Sequence, residues 1–331
     1  MSAAEKAHVT AAKEIRQETT SQVPSPAPRA GRRPKGKVWT TISVVLPALD
    51  ERANLLELLP RLRDVLDSLG SLAFEILLVD DGSGDGSHAL AREFGARVVR
   101  HPEPLGNGAA VKRGIREARG EWVLLMDADG QHPPREIPRL LEHMGEYDMV
   151  VGARSGGGSF HRNLANRIYN GLATYVTGRK IEDLTSGFRL IRRKPLLSFL
   201  YLLPNTFSYP TTITLAMIRA GYSVKYVPFL PRRRMGNSKI RIFRDGSRFF
   251  LILLKITTLF SPLKVFLPLA LSVWVMGGLY YVYTFLTAHR FTNMGLLLLV
   301  QGSILFFLGL VSEQVAQLRY ERSGEGEDRG H

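Results

Sequence analysis

From Thr41 onward the chain alternates between two hydrophobic periods. Five short apolar runs, Ile42–Leu46, Phe74–Val79, Ala96–Val99, Trp122–Met126 and Met149–Val151, have the length and β-branched content of buried strands. Between the first two, Leu55, Leu58, Leu59, Leu62, Val65 and Leu69 recur at helical spacing, and Ala109–Ala118 reads as a second helix. Strands alternating with helices predict an α/β domain, a mostly parallel sheet with helices on both faces. No internal repeat is visible.

Beyond Pro262 the pattern changes. Leu267–Leu286 is twenty residues without a charge, enough at ~1.5 Å per residue to cross a hydrocarbon core of ~30 Å. Met294–Ser312 is a second uncharged run, with Gln301 its main polar interruption, and Thr287–Asn293 joins the two. This predicts a transmembrane hairpin over residues 265–313. Core helices of a soluble fold are the alternative, and two such runs in succession weigh against it. Just upstream, Arg241, Arg244, Arg248, Lys255 and Lys264 interleave with Phe243, Phe249, Phe250, Leu254 and Phe260. That mixture predicts interfacial amphipathic helices over 236–264, with basic side chains reaching anionic lipid or an acceptor phosphate.

Charge sharpens this division. Of the net +14, residues 231–264 contribute +8 and residues 1–39 contribute +5, whereas 40–230 contribute only +2. A belt of cations directly before an apolar span fits an anionic bilayer better than a nucleic-acid groove, so no nucleic-acid partner is expected. By the positive-inside rule, the amino-terminal bulk and both termini lie in the cytoplasm. Residues 1–37 read as a disordered basic tail without a signal peptide, 38–235 as the globular domain and 314–331 as a cytoplasmic tail. The absence of cysteine excludes disulfides and thiolate chemistry. Gly277-Gly278 and Gly295 permit close helix packing, which leaves a homo-oligomer open.

The candidate chemistry sits where the strands end. Asp127 and Asp129 follow the fourth strand at i and i+2, so both carboxylates can point the same way. Alone, such a pair is as often a turn or a cap. Three other strand ends carry Pro47-Ala-Leu-Asp50-Glu51, Asp80-Asp81-Gly-Ser-Gly-Asp85 and Leu105-Gly106-Asn-Gly108. Open α/β sheets bind ligands at the carboxyl ends of their strands, and carboxylates sharing a cation with phosphate oxygens suit Mg²⁺ or Mn²⁺. The first strand lacks a glycine fingerprint, which disfavours a Rossmann dehydrogenase.

Together with Gly152-Ala-Arg154, Asp183-Leu-Thr-Ser-Gly-Phe-Arg189 and Arg233-Arg-Met-Gly-Asn-Ser-Lys239, these motifs resemble the family 2 glycosyltransferases of GT-A fold. The resemblance is to the branch containing dolichyl-phosphate mannose synthases and polyprenyl-phosphate glycosyltransferases, and it covers roughly residues 40–315. It implies that Pro47, Leu49, Glu51, Val79 and Asp81 line the nucleoside pocket, with Leu49 where relatives often carry an aromatic. It also implies that Asp127 and Ala128 border the nucleotide sugar. Asp129 and Gln131 would hold the metal, with Asp127 a further possible ligand. Arg154, Arg233 and Lys239 would reach donor or acceptor phosphates, and Arg162 with Asn166 the acceptor phosphate. His132, beside Pro133-Pro134, reads as a structural residue at a helix start rather than a base.

The implied reaction is inverting transfer of a hexose-type sugar, mannose favoured, from GDP-mannose or a UDP-sugar to a polyprenyl phosphate. A phosphate monoester is largely dianionic at neutral pH, so Asp183 is expected to position rather than to deprotonate. A processive polysaccharide synthase is the nearest rival, but Trp39, Trp122 and Trp274 do not fit its Gln-x-x-Arg-Trp signature. A non-catalytic membrane scaffold is disfavoured by the intact acidic and basic residues.

Overall fold

The computed structural model describes residues 41–70, 72–156, 160–205, 208–232, 258, 261–290 and 292–328, with side chains at all of these except 160–163, 165, 288 and 319–328. The expected tail at 1–37 and the interfacial segment before Lys264, apart from residues 258 and 261–263, lie outside the described residues. So do Arg233 and Lys239.

Seven strands form one sheet in the order β3-β2-β1-β4-β6-β5-β7. The strands are β1 (Thr41–Ala48), β2 (Ala73–Asp80), β3 (Arg97–Arg100), β4 (Trp122–Leu125), β5 (Met149–Arg154), β6 (Arg189–Arg192) and β7 (Val224–Phe229). The helices between them are α1 (Arg52–Ser68), α2 (Ser87–Glu93), α3 (Asn107–Glu117), α4 (Ile137–Leu141), α5 (Phe160–Thr177), α6 (Arg193–Ser198) and α7 (Tyr209–Arg219). Along β1, Ile42, Val44 and Leu46 pack with Leu55, Leu59 and Leu62 of α1, whereas Val45 faces the opposite cluster with Val111 and Ile115 of α3. The period of two therefore fills both faces, giving the mostly parallel α/β sandwich that the sequence predicts.

Two strands escape the sequence reading, β6 and β7. β6 pairs antiparallel with both β4 and β5, while β5 runs parallel to β7. Reversal of this one strand matters for the site. Its amino end, and the loop 183–188 before it, arrive at the sheet edge where β1, β2, β4 and β5 present their carboxyl ends. The sheet also grows in both directions from β1 and β4, which is a topological switch point and opens a crevice between them.

The apolar carboxyl-terminal region forms α8 (Leu263–Ala288) and α9 (Asn293–Asp328). Both are long and apolar enough to cross a membrane, and only 11% and 17% of their most apolar windows are buried. Their mutual contact is tight. Trp274 Nε1 donates to Leu299 O (3.1 Å), and a Cβ on Gly302 would lie 2.5 Å from the Trp274 ring. Gly277 lies against Leu298 within the pair, whereas Gly278 has open space around it. The second helix runs past Ser312 to Asp328, so residues 314–328 continue it.

Two polar contacts fasten this pair to the domain. Glu313 accepts the Leu263 N–H (3.1 Å) and faces Arg219 of α7 (3.8 Å). Lys264 Nζ donates to Tyr175 O (3.1 Å) and Val176 O (2.6 Å) in the last turn of α5, where a helix dipole favours a cation. In the described structure Lys264 thus caps a helix.

Core packing at the β4 entry yields a direct test. Gly120 is buried, and a Cβ there would meet Ser43 N at 2.6 Å and both Ile42 C and Trp122 O at 2.8 Å, all backbone atoms. Gly120→Ala should destabilise the domain by ~3 kcal/mol, a fall of roughly 6–10 °C in melting temperature measured by fluorimetry in detergent.

Candidate active site

The acidic loop starts where β4 ends. Ala128 is 2% exposed and turned into the core, which leaves Asp127 and Asp129, both half-buried, on the crevice side. Asp129 accepts the Gln131 backbone N–H through Oδ1 (3.1 Å) and Gln131 Nε2 through Oδ2 (2.8 Å). Turned about its last bond, that amide presents an oxygen beside the carboxylate in place of a nitrogen. The donor set is then hard oxygen with one neutral member, which fits Mg²⁺ or Mn²⁺. Among the described residues no three His, Cys, Asp or Glu side chains gather as a metal site by themselves.

Asp127 is held from two sides. Its N–H donates to His132 Nδ1 (3.0 Å), and a Cβ on Gly187 would fall 2.7 Å from its Oδ2, so only glycine lets the 183–188 loop approach so closely. His132 is 4% exposed, stacked on Phe188 (5.2 Å between centroids) with Phe229 edge-on. Burial pushes the pKa of His132 down to about 4, against the opposing charge of Asp129. With Nδ1 accepting, the neutral ring carries its proton on Nε2, 3.8 Å from Asp127 Oδ2. The ring is a strut.

Across from the acidic loop, Arg154 ends β5 and meets Asp183. Arg154 Nε and Nη2 donate to the two carboxylate oxygens at 2.8 and 2.9 Å. The same carboxylate accepts the backbone N–H groups of Arg154 and Thr185, both at 3.1 Å. Burial alone would raise the Asp183 pKa, but the hydrogen bonds and charge of Arg154 hold it below the ordinary carboxylate range. Arg154 is pushed the other way: burial lowers its pKa, and the hydrogen bond and charge of Asp183, with the charge of Asp127, raise it overall. Its outer side lines a cavity of about 490 Å³ shared with Asn166, Arg167, Asn170, Thr174 and Glu182. Arg162 falls on α5, and its side chain is outside the described residues.

A residue that sequence reasoning left without a role supports this loop. Arg189 is fully buried and donates to Ser186 O (2.7 Å), Leu184 O (3.3 Å), Pro210 O (2.8 Å) and Thr214 Oγ1 (2.8 Å). Burial lowers its pKa, and four neutral oxygens satisfy its fork. The available signal was its position: Arg189 lies two residues before Ile191, on the same strand face, where an interior position is ordinarily apolar.

The loops after β1 and β2 brace one another. Asp50 adopts φ +56°, and its N–H donates to Ser83 Oγ (3.0 Å) while its Oδ1 accepts the Gly84 N–H (2.9 Å). The Glu51 and Arg52 N–H groups donate to Ser87 Oγ (3.2 Å) and Asp85 Oδ2 (2.8 Å). Pro47 is buried, Leu49 is half-buried, and Val79 is 0% exposed in the core below. Asp81, 3% exposed, accepts from His101 Nδ1 (2.7 Å) and from the Leu105 and Gly106 N–H groups (2.9 and 2.8 Å). Its carboxylate folds the glycine loop into place. The structure thus gathers Asp127, Asp129, Gln131, Arg154 and Asp183, with Pro47, Leu49, Glu51 and Asp81 on the neighbouring strand ends. The Arg232 N–H donates to Gln131 O (3.0 Å), so the chain leaves the described domain beside the acidic loop.

Residues 43–199 match the profile of glycosyl transferase family 2, and residues 261–318 match that of the GtrB C-terminal hairpin. Over residues 43–199, just under half of the chain, it is similar to family 2 glycosyltransferases. Among curated proteins, undecaprenyl-phosphate 4-deoxy-4-formamido-L-arabinose transferase of Edwardsiella ictaluri is 38% identical over 48% of this chain and 51% of its own length. Dolichol-phosphate mannosyltransferase of Pyrococcus furiosus is 35% identical over 60% of this chain and 59% of its own. The chain thus spans about half to three-fifths of the length of these relatives. Among solved structures, glucosyl-3-phosphoglycerate synthase from Mycobacterium tuberculosis with phosphoglyceric acid superposes with a TM-score of 0.56 at 24% identity, covering 68% of this chain and 86% of that one. The same synthase with Mn²⁺ and uridine-diphosphate-glucose gives a TM-score of 0.54 at 24% identity, over 66% and 79%. At that identity the likeness establishes the GT-A-like fold of the sheet-bearing domain, and the fold alone.

The buried histidine makes that domain's stability depend on pH. Between pH 6.5 and 4 the unfolded chain binds a proton at His132 that the native site rejects, so stability drops as pH falls through this window. The loss is about 3 kcal/mol at about 1.4 kcal/mol per unit. Thermal melts across this range should show wild type losing more stability than His132→Gln, which keeps an acceptor for the Asp127 N–H.

Proposed function

We propose that the protein is an inverting, membrane-anchored glycosyltransferase. It moves a hexose-type sugar from a nucleotide-diphosphate donor to a polyprenyl phosphate, with mannose from GDP-mannose as the favoured donor sugar and a UDP-sugar as the alternative. The observation that carries this reading is Arg154. Its guanidinium feels the charge of Asp127 and also lines the cavity, which supports a single cation serving both a donor and an acceptor phosphate. The relatives named for undecaprenyl-phosphate and dolichol-phosphate transfer support the acceptor class.

In this reading the nucleoside lies over the strand ends carrying Pro47, Leu49 and Glu51, with Asp81 shaping the pocket through the 101–106 loop. Asp129 and Gln131, with Asp127 beside them, would hold Mg²⁺ or Mn²⁺ on the diphosphate. Such an ion, when bound, neutralises charge developing on the leaving diphosphate. Arg233 and Lys239, which the motif resemblance assigns to donor or acceptor phosphates, would supply further cations. On the other side, Arg154, Arg162 and Asn166 orient the acceptor phosphate.

The residues also fit the nucleophile. Asp183 is saturated by Arg154 and Thr185, and the His132 Nδ1 lone pair is taken by Asp127 N–H. Neither is free to take a proton, which suits an acceptor whose second phosphate pKa of ~6 delivers it as a dianion. The acceptor oxygen forms its bond to the anomeric carbon from the face opposite the diphosphate. The bond from that carbon to the diphosphate oxygen breaks with its electron pair, and the nucleoside diphosphate departs. We place the domain, both termini and an interfacial belt over 236–264 on the cytoplasmic face, with α8 and α9 crossing the bilayer.

Membranes containing the protein, given radiolabelled nucleotide sugars with Mg²⁺ or Mn²⁺, should pass label to the lipid extract from one donor class. Asp129→Ala should lower that transfer at least ~100-fold. Undiminished transfer in that variant, or no label from any donor, contradicts the assignment.

A further inference from the structure

α5 has three distinct faces. Tyr169, Leu172, Ala173 and Val176 turn into the core or pack against it. Asn166, Asn170 and Thr174, four residues apart, line the cavity beside Arg154. The third face carries Leu164, Ile168 and Tyr175, spaced i, i+4 and i+11 in one stripe and 47%, 61% and 56% exposed. Outside the hairpin, seven large apolar side chains among the described residues are exposed, and three of them form this stripe. A single exposed leucine means nothing; an aligned set on one helix does.

The helix is also tied to the point where the chain enters the apolar hairpin. Lys264, the second residue of α8, donates to the Tyr175 and Val176 carbonyls, and its ammonium lies 5.9 Å from the Tyr175 ring centroid. A lysine at the mouth of a membrane span sits at headgroup depth, where tyrosine is also favoured. That contact sets the depth of the carboxyl-terminal end of α5. Arg167, exposed and on the rim between stripe and cavity, supplies a cation for anionic headgroups.

From this geometry we propose that α5 is itself a bilayer-contacting helix, seated along the headgroup–acyl boundary by Leu164, Ile168 and Tyr175. Its 18 residues span ~27 Å, long enough to lie as a strut on the surface. The cavity face is then held at headgroup level, where the phosphate of a membrane lipid enters without leaving the interface. This rests on the membrane reading of the hairpin.

The chain has no cysteine, so single-cysteine spin labels on the full-length protein are clean. The protein is reconstituted in phosphatidylcholine–phosphatidylglycerol vesicles, and collision with oxygen is compared with collision with a water-soluble nickel chelate. Leu279→Cys on α8, 67% exposed, gives the lipid reference; Leu56→Cys on α1, 56% exposed on the opposite face of the sheet, gives the water reference. Labels at Leu164→Cys and Ile168→Cys should favour oxygen, as Leu279→Cys does. Water-like collision, as at Leu56→Cys, overturns the proposal. Shielding from both probes also overturns it, and assigns the stripe to protein, either residues 233–257 or a second copy. A water-like Leu279→Cys label would remove the membrane reading of the hairpin and this proposal with it.

Discussion

The ion pair between Arg154 and Asp183 is the interaction on which the site depends. Both side chains are largely removed from water, with 28% and 9% of their surface exposed, so neither charge is tolerable without the other. Deleting one partner of such a pair costs about 3 kcal/mol, toward the low end of the range because the arginine keeps some solvent. The geometry matters more than the energy. Two parallel hydrogen bonds fix the plane of the guanidinium, and fix with it the direction in which its remaining donors point.

Several features exist to make that pair possible. Arg154 is at the sheet edge because β5 ends there, and Asp183 reaches the same edge because β6 alone runs antiparallel. Arg189 then holds the intervening turn by the carbonyls of Leu184 and Ser186, and Gly187 lets that turn lie against Asp127. A buried arginine bonded only to neutral oxygens is an expensive way to fix a loop. Its return is that Asp127, Asp183 and Arg154 keep one relative geometry. The proposed reaction needs this, since several phosphate charges must meet one prearranged set of cations and dipoles.

How much of this was legible in the sequence varies with the physics. The five leading strands carry strong apolar runs and were readable, as were the two helices with full apolar faces. β6 was hidden because its four residues begin and end with arginine, and β7 because Lys225 and Pro228 interrupt its apolar pattern. Asp127, Asp129, Gln131 and Arg154 were legible as a motif. The same motif was silent on how the groups engage one another: that Asp183 would be saturated by Arg154, Asp81 by a loop sixty residues after β1 begins, or Lys264 by the end of α5. Those are tertiary hydrogen bonds between distant segments, and no periodicity encodes them. His132 was read as structural from its prolines, and the stacking on Phe188 supplies the physical reason.

In the proposed reaction Asp183 positions Arg154 and takes no proton from the acceptor. The most direct test is the pH dependence of kcat/KM for transfer to a polyprenyl phosphate in wild type and in Asp183→Asn. An acidic limb near pH ~6, set by the acceptor's second phosphate ionisation, is expected at the same pH in both proteins although the variant is slower. Disappearance or displacement of that limb in Asp183→Asn would make Asp183 the base and overturn its positioning role.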